Sequence, residues 1–139
     1  MIPKIIHYCW LGDSEFPELV KKCIQSWKKK MPDWEFILWD KNCLKDLNSD
    51  WVNEAYSTKK YAFAADYIRL YAVNKFGGFY LDSDVEVLKN FAPLLDSPYI
   101  FALENEIGDI EAATFGSEPN NPYVQKCLSY YEGRHFIKK

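Results

Sequence analysis

Two aspartates one residue apart, Asp82 and Asp84, follow a short apolar run in the segment GGFYLDSDVEV (residues 77–87). If the strand continues through them, residues i and i+2 point the same way, so Ser83 faces away and the two carboxylates converge on one region. Magnesium and manganese are usually held by one or two carboxylates, with diphosphate oxygens and waters completing the coordination. The pair therefore indicates a divalent-metal site, and a solvated Asp-Ser-Asp turn stays open as the alternative.

A second charged pair, Asp66 and Arg69, lies in the apolar segment that precedes the aspartates. Residues three apart share one face of a helix, so an ion pair within the helix is one interpretation. The other is that Asp66 accepts hydrogen bonds from sugar or ribose hydroxyls while Arg69 binds phosphate or carboxylate. The residues alone leave both interpretations open.

The hydrophobic pattern predicts an α/β fold to position these side chains. Apolar runs predict strands at 5–11 and 34–40, and helical spacing predicts a helix from Pro17 that stops at Pro32. This order indicates a parallel strand pair joined by a crossover helix. Later helices are predicted at 42–47, 51–57, 59–77 with Gly77 as a left-handed cap, and 121–133. The segment 79–88 is strand-like at its start, with the two aspartates at the tail of that part, and further strands are predicted at 99–105 and 111–117.

The predicted strand ends bring the candidate residues together. In an open α/β sheet, ligands bind outside the carboxyl ends of the strands. Trp10 lies near the end of the first strand, and Asp82 and Asp84 lie at the end of a later one. We therefore expect Trp10 and the aspartates to lie at the same edge of the sheet.

Length and charge limit the class of protein. The 139 residues predict one domain spanning 1–139, and a net charge of −3 excludes the broad basic field that a nucleic-acid partner requires. Four scattered cysteines without metal-ligand spacing are typical of buried thiols in a reducing compartment, and we find no window of about 20 apolar residues. We expect a cytoplasmic protein. Lys28, Lys29 and Lys30 either interact with the negative end of the helix dipole or contact the inner face of a membrane.

Two segments carry a resemblance to a known family: IPKIIHYCWLG (2–12) and AFAADYIRLYAVNKFGGFYLDSDVEVL (62–88). They resemble sugar transferases that contain a DXD motif, which include capsular polysaccharide synthesis proteins and relatives of the yeast initiating mannosyltransferase. Similar elements occur in the glucosylating domains of large clostridial toxins. The combination A-x-D-x-x-R, a helical spacer and G-G-x-Y-x-D-x-D is far more specific than an isolated Asp-x-Asp.

The resemblance implies a glycosyltransferase with a Rossmann-like GT-A fold and a mostly parallel central sheet. Such an enzyme takes sugar from a nucleotide-sugar donor, uses Mn²⁺ or Mg²⁺, and transfers the sugar to a glycan or lipid-linked oligosaccharide acceptor, generally with retention of configuration. Capsular polysaccharide biosynthesis is the implied setting. Family members are longer and their later segments supply much of the acceptor site, so we expect a C-terminally truncated domain.

The family pattern also implies roles for particular residues. Trp10 matches the aromatic residue that stacks on the donor base, Asp66 and Arg69 match the pair that holds the donor sugar, and Tyr80 lines the same site. Asp82 is shared between the ribose and metal-bound water. Asp84 ligates the metal most directly, and no catalytic residue is assigned. His7 is predicted to be buried and structural, and His135 to lie at the surface.

Two other interpretations stay open. A truncated chain could bind a nucleotide-sugar or a protein partner without turnover. A phosphotransferase of the haloacid dehalogenase type also places Asp-x-Asp after a strand, with the first aspartate as nucleophile. In that family the motif follows the first strand and is followed by Gly and Thr or Val, whereas here it lies in mid-chain before Val85 and Glu86.

Overall fold

The structure is a computed structural model that describes residues 1–103 and 110–137. Its strands are β1 (Ile5–Cys9), β2 (Glu35–Trp39), β3 (Gly78–Leu81), β4 (Tyr99–Leu103) and β5 (Ile110–Ser117). Its helices are α1 (Glu18–Lys30), α2 (Leu44–Leu47), α3 (Asp50–Ser57), α4 (Tyr61–Phe76) and α5 (Pro122–Ser129), with 3-10 turns at Lys41–Cys43 and Ala92–Leu94. Residues 104 and 105 of the predicted fourth strand lie outside the described residues.

The described strands form one mixed sheet in the order β2-β1-β3-β5-β4. Strand β1 pairs in parallel with both β2 and β3, while β5 is antiparallel to β3 and to β4. Four strands therefore point one way and β5 points the other way. This arrangement confirms the predicted α/β class, the mostly parallel sheet and the parallel β1–β2 pair joined by a helix.

Helix α1 forms because its apolar residues fall on one face, where Val20, Cys23, Ile24 and Trp27 are buried. Its last turn contains Lys28, Lys29 and Lys30, and positive charges there are stabilised by the negative end of the helix dipole. The indole of Trp27 donates a hydrogen bond of 2.7 Å to the Val85 carbonyl, and the Ser26 hydroxyl accepts one from the Val87 amide. Helix α1 thereby anchors the segment that follows Asp84.

Two glycines form the tight turn between α4 and β3. Gly77 has φ 70° and ψ −176°, a conformation that is essentially restricted to glycine. The predicted left-handed cap is therefore wrong in its ψ angle, although the position is right. Gly78 has φ +103°, and a Cβ there would lie 2.6 Å from the Ile5 carbonyl oxygen. The absence of side chains lets β3 pair closely with β1.

His7 links the α4–β3 turn to the sheet and is fully buried, as predicted. The Trp39 indole donates to His7 Nδ1 at 3.1 Å, so Nε2 carries the proton and donates to the Gly77 carbonyl at 2.9 Å. Burial lowers the pKa of the imidazole to about 4. A neutral histidine therefore links β1, β2 and the α4–β3 turn.

Helix α5 begins where predicted, because the Asn121 side chain accepts hydrogen bonds from the Tyr123 and Val124 amides and Pro122 occupies the first helical position. It ends at Ser129, whereas the sequence predicted an end at Gly133. Turns follow the helix up to Gly133, whose φ is 66°. Within the described ranges, no helix has the length and apolar character needed to cross a membrane.

Candidate functional site

The candidate site is a cavity of about 550 Å³ at the carboxyl ends of β1 and β3. Trp10, Arg69, Tyr80, Asp82 and Asp84 all line it. Trp10 directly follows β1, and Arg69 lies in α4. Tyr80 lies in β3, and the aspartates follow that strand. The parallel β1–β3 pair thus brings together most of the residues singled out in the sequence.

The two aspartates occupy a turn, because β3 ends at Leu81 and the Val85 amide donates to the Asp82 carbonyl at 3.0 Å. The prediction that they alternate along a continuing strand is therefore wrong. Both still line the same cavity. Asp84 is exposed, whereas the side chain of Asp82 is about one-third exposed and has protein partners, so Asp82 does not match a simple solvated turn.

Asp82 is held by Arg69. Arg69 Nη2 lies 3.4 Å from Asp82 Oδ1, and the Tyr80 phenol lies near the same carboxylate. The Arg69 guanidinium also lies over the Tyr80 ring, 4.8 Å from its centre. Burial raises the pKa of Tyr80 well above its ordinary value, and the nearby negative charge of Asp82 adds to this effect. The phenol therefore stays protonated beside Asp82.

Arg69 also meets Asp66, as the three-residue spacing predicted, with Nη2 3.6 Å from Asp66 Oδ1. Its Nε donates to the Ala65 carbonyl, and only 10% of the side chain is exposed. Burial raises the pKa of Asp66, and the Arg69 charge opposes that rise. The intrahelical ion pair is present, and the same arginine continues to Asp82.

Asp66 faces a different cavity from the aspartate turn. It lines a second cavity of about 760 Å³, which it shares with Arg69 but not with Asp82 or Asp84. Arg69 is the residue that lines both cavities. The structure therefore connects Asp66 to the aspartate turn through the guanidinium, and it does not place all the predicted donor-binding residues in one cavity.

Trp10 lies at the end of β1, where its amide donates to the Trp39 carbonyl. Its indole NH donates to the Ser14 carbonyl at 3.0 Å, and the Phe16 ring meets it edge-on at 5.3 Å. The side chain is partly buried and lines the cavity with the aspartates. The ring is thus fixed at the predicted edge of the sheet, and base stacking remains a prediction.

Sequence reasoning missed the α4 residues that shape the cavity wall. Tyr61, Ala62 and Ala65 line the cavity together with Arg69. Ala62, Ala65 and Arg69 follow the three- and four-residue spacing of one helix face, and alanine leaves room beside the guanidinium. The signal was present as small residues in register with Arg69, but it could not be distinguished from ordinary helix packing.

The Asp82 and Asp84 carboxylates suit a hard divalent cation whose other coordination positions are filled by waters and by oxygens of a bound substrate. Across residues 1–103 and 110–137, no three His, Cys, Asp or Glu side chains form a cluster able to hold a metal. Two oxygen donors in one turn suit Mg²⁺ or Mn²⁺, which keep several waters and take further oxygens from phosphate groups. A closed structural zinc site would need more protein ligands.

Comparisons with known proteins agree with the resemblance seen in the sequence. The chain is 27% identical to inositol phosphoceramide mannosyltransferase 1 of Schizosaccharomyces pombe, over 99% of this chain and 46% of the relative. It is 34% identical to inositol phosphoceramide mannosyltransferase 3 of the same yeast, over 70% of this chain and 28% of the relative. The chain thus spans less than half the length of either relative.

A solved structure shows the same fold. The PaToxG glycosyltransferase superposes with a TM-score of 0.69 at 22% identity, covering 92% of this chain and 58% of that one. This likeness confirms the predicted GT-A-like fold. Residues 17–101, more than half of the chain, match the model of a glycosyltransferase sugar-binding region containing a DXD motif. The chain therefore belongs to the family of glycosyltransferase sugar-binding regions that contain a DXD motif.

Proposed function

We propose that this chain is the donor-binding part of a metal-dependent glycosyltransferase that takes sugar from a nucleotide-sugar. One observation carries the proposal: Trp10, Arg69, Asp82 and Asp84 line a single cavity at the carboxyl edge of β1 and β3. An aromatic ring, a guanidinium and two carboxylates match the base, the phosphates and the cation of a metal–nucleotide complex. Family membership supports the same class of reaction.

In this proposal Asp84, the exposed member of the turn, and Asp82 hold Mn²⁺ or Mg²⁺. When bound, the ion stabilises the negative charge that develops on the departing nucleoside diphosphate. Arg69, which lies over the Tyr80 ring, fixes the orientation of Asp82 through the contact between their side chains. Because Arg69 is held by Asp66 and Asp82, its positive charge is already aimed toward the cavity where the diphosphate is expected.

The donor sugar is proposed to lie beside Arg69 and Asp66, with sugar hydroxyls donating to the Asp66 carboxylate. The names of the two yeast relatives state mannosyl transfer to inositol phosphoceramide, which favours a mannose donor and a lipid-linked or glycan acceptor. Retention of configuration, a role in capsular polysaccharide assembly and a cytoplasmic location belong to the same proposal. Exposed Lys28, Lys29 and Lys30 could serve peripheral contact with an anionic membrane.

The fold argues against a haloacid-dehalogenase-type phosphotransferase. The motif follows β3, the third strand along the chain, and Asp82 is engaged by Arg69. A nucleophilic aspartate needs a free oxygen aimed at a phosphoryl group. Binding of a nucleotide-sugar without turnover is distinguished by measuring sugar transfer or slow hydrolysis of the donor.

A panel of UDP- and GDP-sugars with Mn²⁺ tests the proposal by thermal shift. A donor at a hundredfold excess over its dissociation constant should stabilise the fold by about 2.7 kcal/mol. The matching nucleoside monophosphates serve as controls because they lack the diphosphate. Absence of stabilisation by every donor above the level of the monophosphates would contradict the proposal.

A further inference from the structure

The second cavity, of about 760 Å³, lies between α4, α5 and the β4–β5 edge of the sheet. Its wall consists mainly of aromatic rings, which come from Tyr99, Phe101, Phe115, Tyr123, Tyr130 and Tyr131. We call it the aromatic cavity. Its volume is within the range of pockets that bind small organic ligands. Tyr99, Tyr123 and Tyr130 remain 40%, 59% and 56% exposed, so a bound apolar group would remove considerable ring surface from water.

Among the described residues of its lining, the aromatic cavity has charges mainly where it meets the cavity of the aspartate turn. Asp66 and Arg69 lie there, 3.6 Å apart, and Arg69 lines both cavities. Lys126 of α5 is the other charged residue in this described part of the lining. A molecule seated among the rings would therefore present one end to the Asp66–Arg69 pair, next to the proposed position of the donor sugar.

We propose that the aromatic cavity binds the alkyl chain of an amphiphilic acceptor whose hydroxyl-bearing head lies beside the donor sugar, at the end of the cavity where Asp66 and Arg69 stand. The acceptor assignment rests on the proposed function, because a sugar transferase needs its second substrate beside the donor. An alkyl chain suits the ring-lined wall, since it needs no hydrogen-bond partners. A saccharide buried there would need a hydrogen-bond partner for each hydroxyl, because an unpaired buried hydroxyl costs free energy.

A reactive cysteine in the lining allows ligand access to the aromatic cavity to be measured. Cys127 of α5 is exposed and lines the aromatic cavity. Cys23 is buried, and burial raises the pKa of Cys9 to about 12 and that of Cys43 to about 11, so these thiols react slowly. The rate at which a maleimide modifies Cys127, followed by peptide mass spectrometry, thus reports access to this cavity.

Modification is measured with octyl glucoside below its micelle concentration and, as a control, with glucose. At about ten times the dissociation constant, a ligand that covers Cys127 should slow its modification about tenfold by mass action. Glucose should leave the rate unchanged. Equal rates with and without octyl glucoside, or equal protection by glucose, would overturn the proposal.

Two variants on α5 locate the binding by calorimetry. Cys127→Trp fills the cavity and should abolish octyl glucoside binding, whereas Gln125→Trp, an exposed position outside the cavity lining, should preserve it. Undiminished binding to Cys127→Trp would overturn the proposal. Nucleoside diphosphate binding with Mn²⁺ is measured on the same samples. If octyl glucoside protects Cys127 but the nucleoside diphosphate does not bind, both the acceptor assignment and the proposed function are overturned. If the nucleoside diphosphate binds but octyl glucoside does not protect Cys127, only the assignment of the aromatic cavity is overturned.

Discussion

Acidification should destabilise this fold through His7, the buried imidazole between β1, β2 and the α4–β3 turn. Its Nδ1 accepts from Trp39 and its Nε2 donates to Gly77, so protonation breaks the Trp39 contact and buries a charge. Burial lowers the pKa from 6.5 to about 4. Between these values the unfolded chain binds more protons, so stability contributed by neutral His7 is present above pH 6.5 and is lost as the pH falls through 4. The loss approaches about 3 kcal/mol.

Urea unfolding at pH 7 and pH 4 measures this effect in the wild type and in His7→Gln, which cannot titrate. Carboxylates contribute to acid unfolding in both proteins, so the difference between them isolates the imidazole. The wild type should lose about 3 kcal/mol more than His7→Gln over this interval. Equal losses in the two proteins would refute the assignment of a buried neutral histidine.

Three further substitutions test packing and ligand contacts. Gly116→Ala places a Cβ against the buried Phe79 ring and should cost about 1–3 kcal/mol of unfolding free energy. Gly12→Ala meets only ordinary contacts and should be near neutral, so equal effects of the two substitutions would contradict this packing. Trp10→Ala should weaken nucleoside diphosphate binding by about 1–3 kcal/mol and leave pyrophosphate binding unchanged, and an equal loss for both ligands would exclude base stacking. Asp66→Ala should cost about 1.5–3 kcal/mol in calorimetric affinity for the nucleotide-sugar but not for the bare diphosphate, and unchanged affinity for both would leave Asp66 an ion-pair partner only.

The sequence predicted the elements with strong periodicity and clear boundary residues. Helix α1 lies between Pro17 and Pro32, and α5 begins at an Asn-Pro cap, so both appear where expected. The parallel β1–β2 pair followed from the strand, helix, strand order. The end of α5 was overestimated because Gly133 closes the turns that follow the helix and not the helix itself.

The sequence predicted that Trp10 and the aspartates lie at one edge of the sheet, but it did not predict the contacts between the candidate residues. The spacing correctly indicated an Asp66–Arg69 pair, yet spacing within one helix carries no information about Asp82, which is brought to Arg69 by the β1–β3 pairing. The turn at Asp82 depends on the α1 anchors at Val85 and Val87, contacts about 60 residues apart in sequence. The aromatic cavity assembles from β4, β5 and α5, and the spacing of their aromatic residues along the chain does not show that the rings share one wall.

The metal dependence of nucleoside diphosphate binding tests the central claim most directly. Calorimetry compares affinities with Mn²⁺ and with chelator in the wild type, in Asp84→Asn and in Asp96→Asn, an exposed aspartate outside the cavity lining. A neutral amide is a poor ligand for a hard cation. We expect wild type and Asp96→Asn to bind more tightly with Mn²⁺, and Asp84→Asn to lose most of that difference. Equal wild-type affinities with Mn²⁺ and with chelator would contradict a metal-dependent donor site at the Asp82–Asp84 turn.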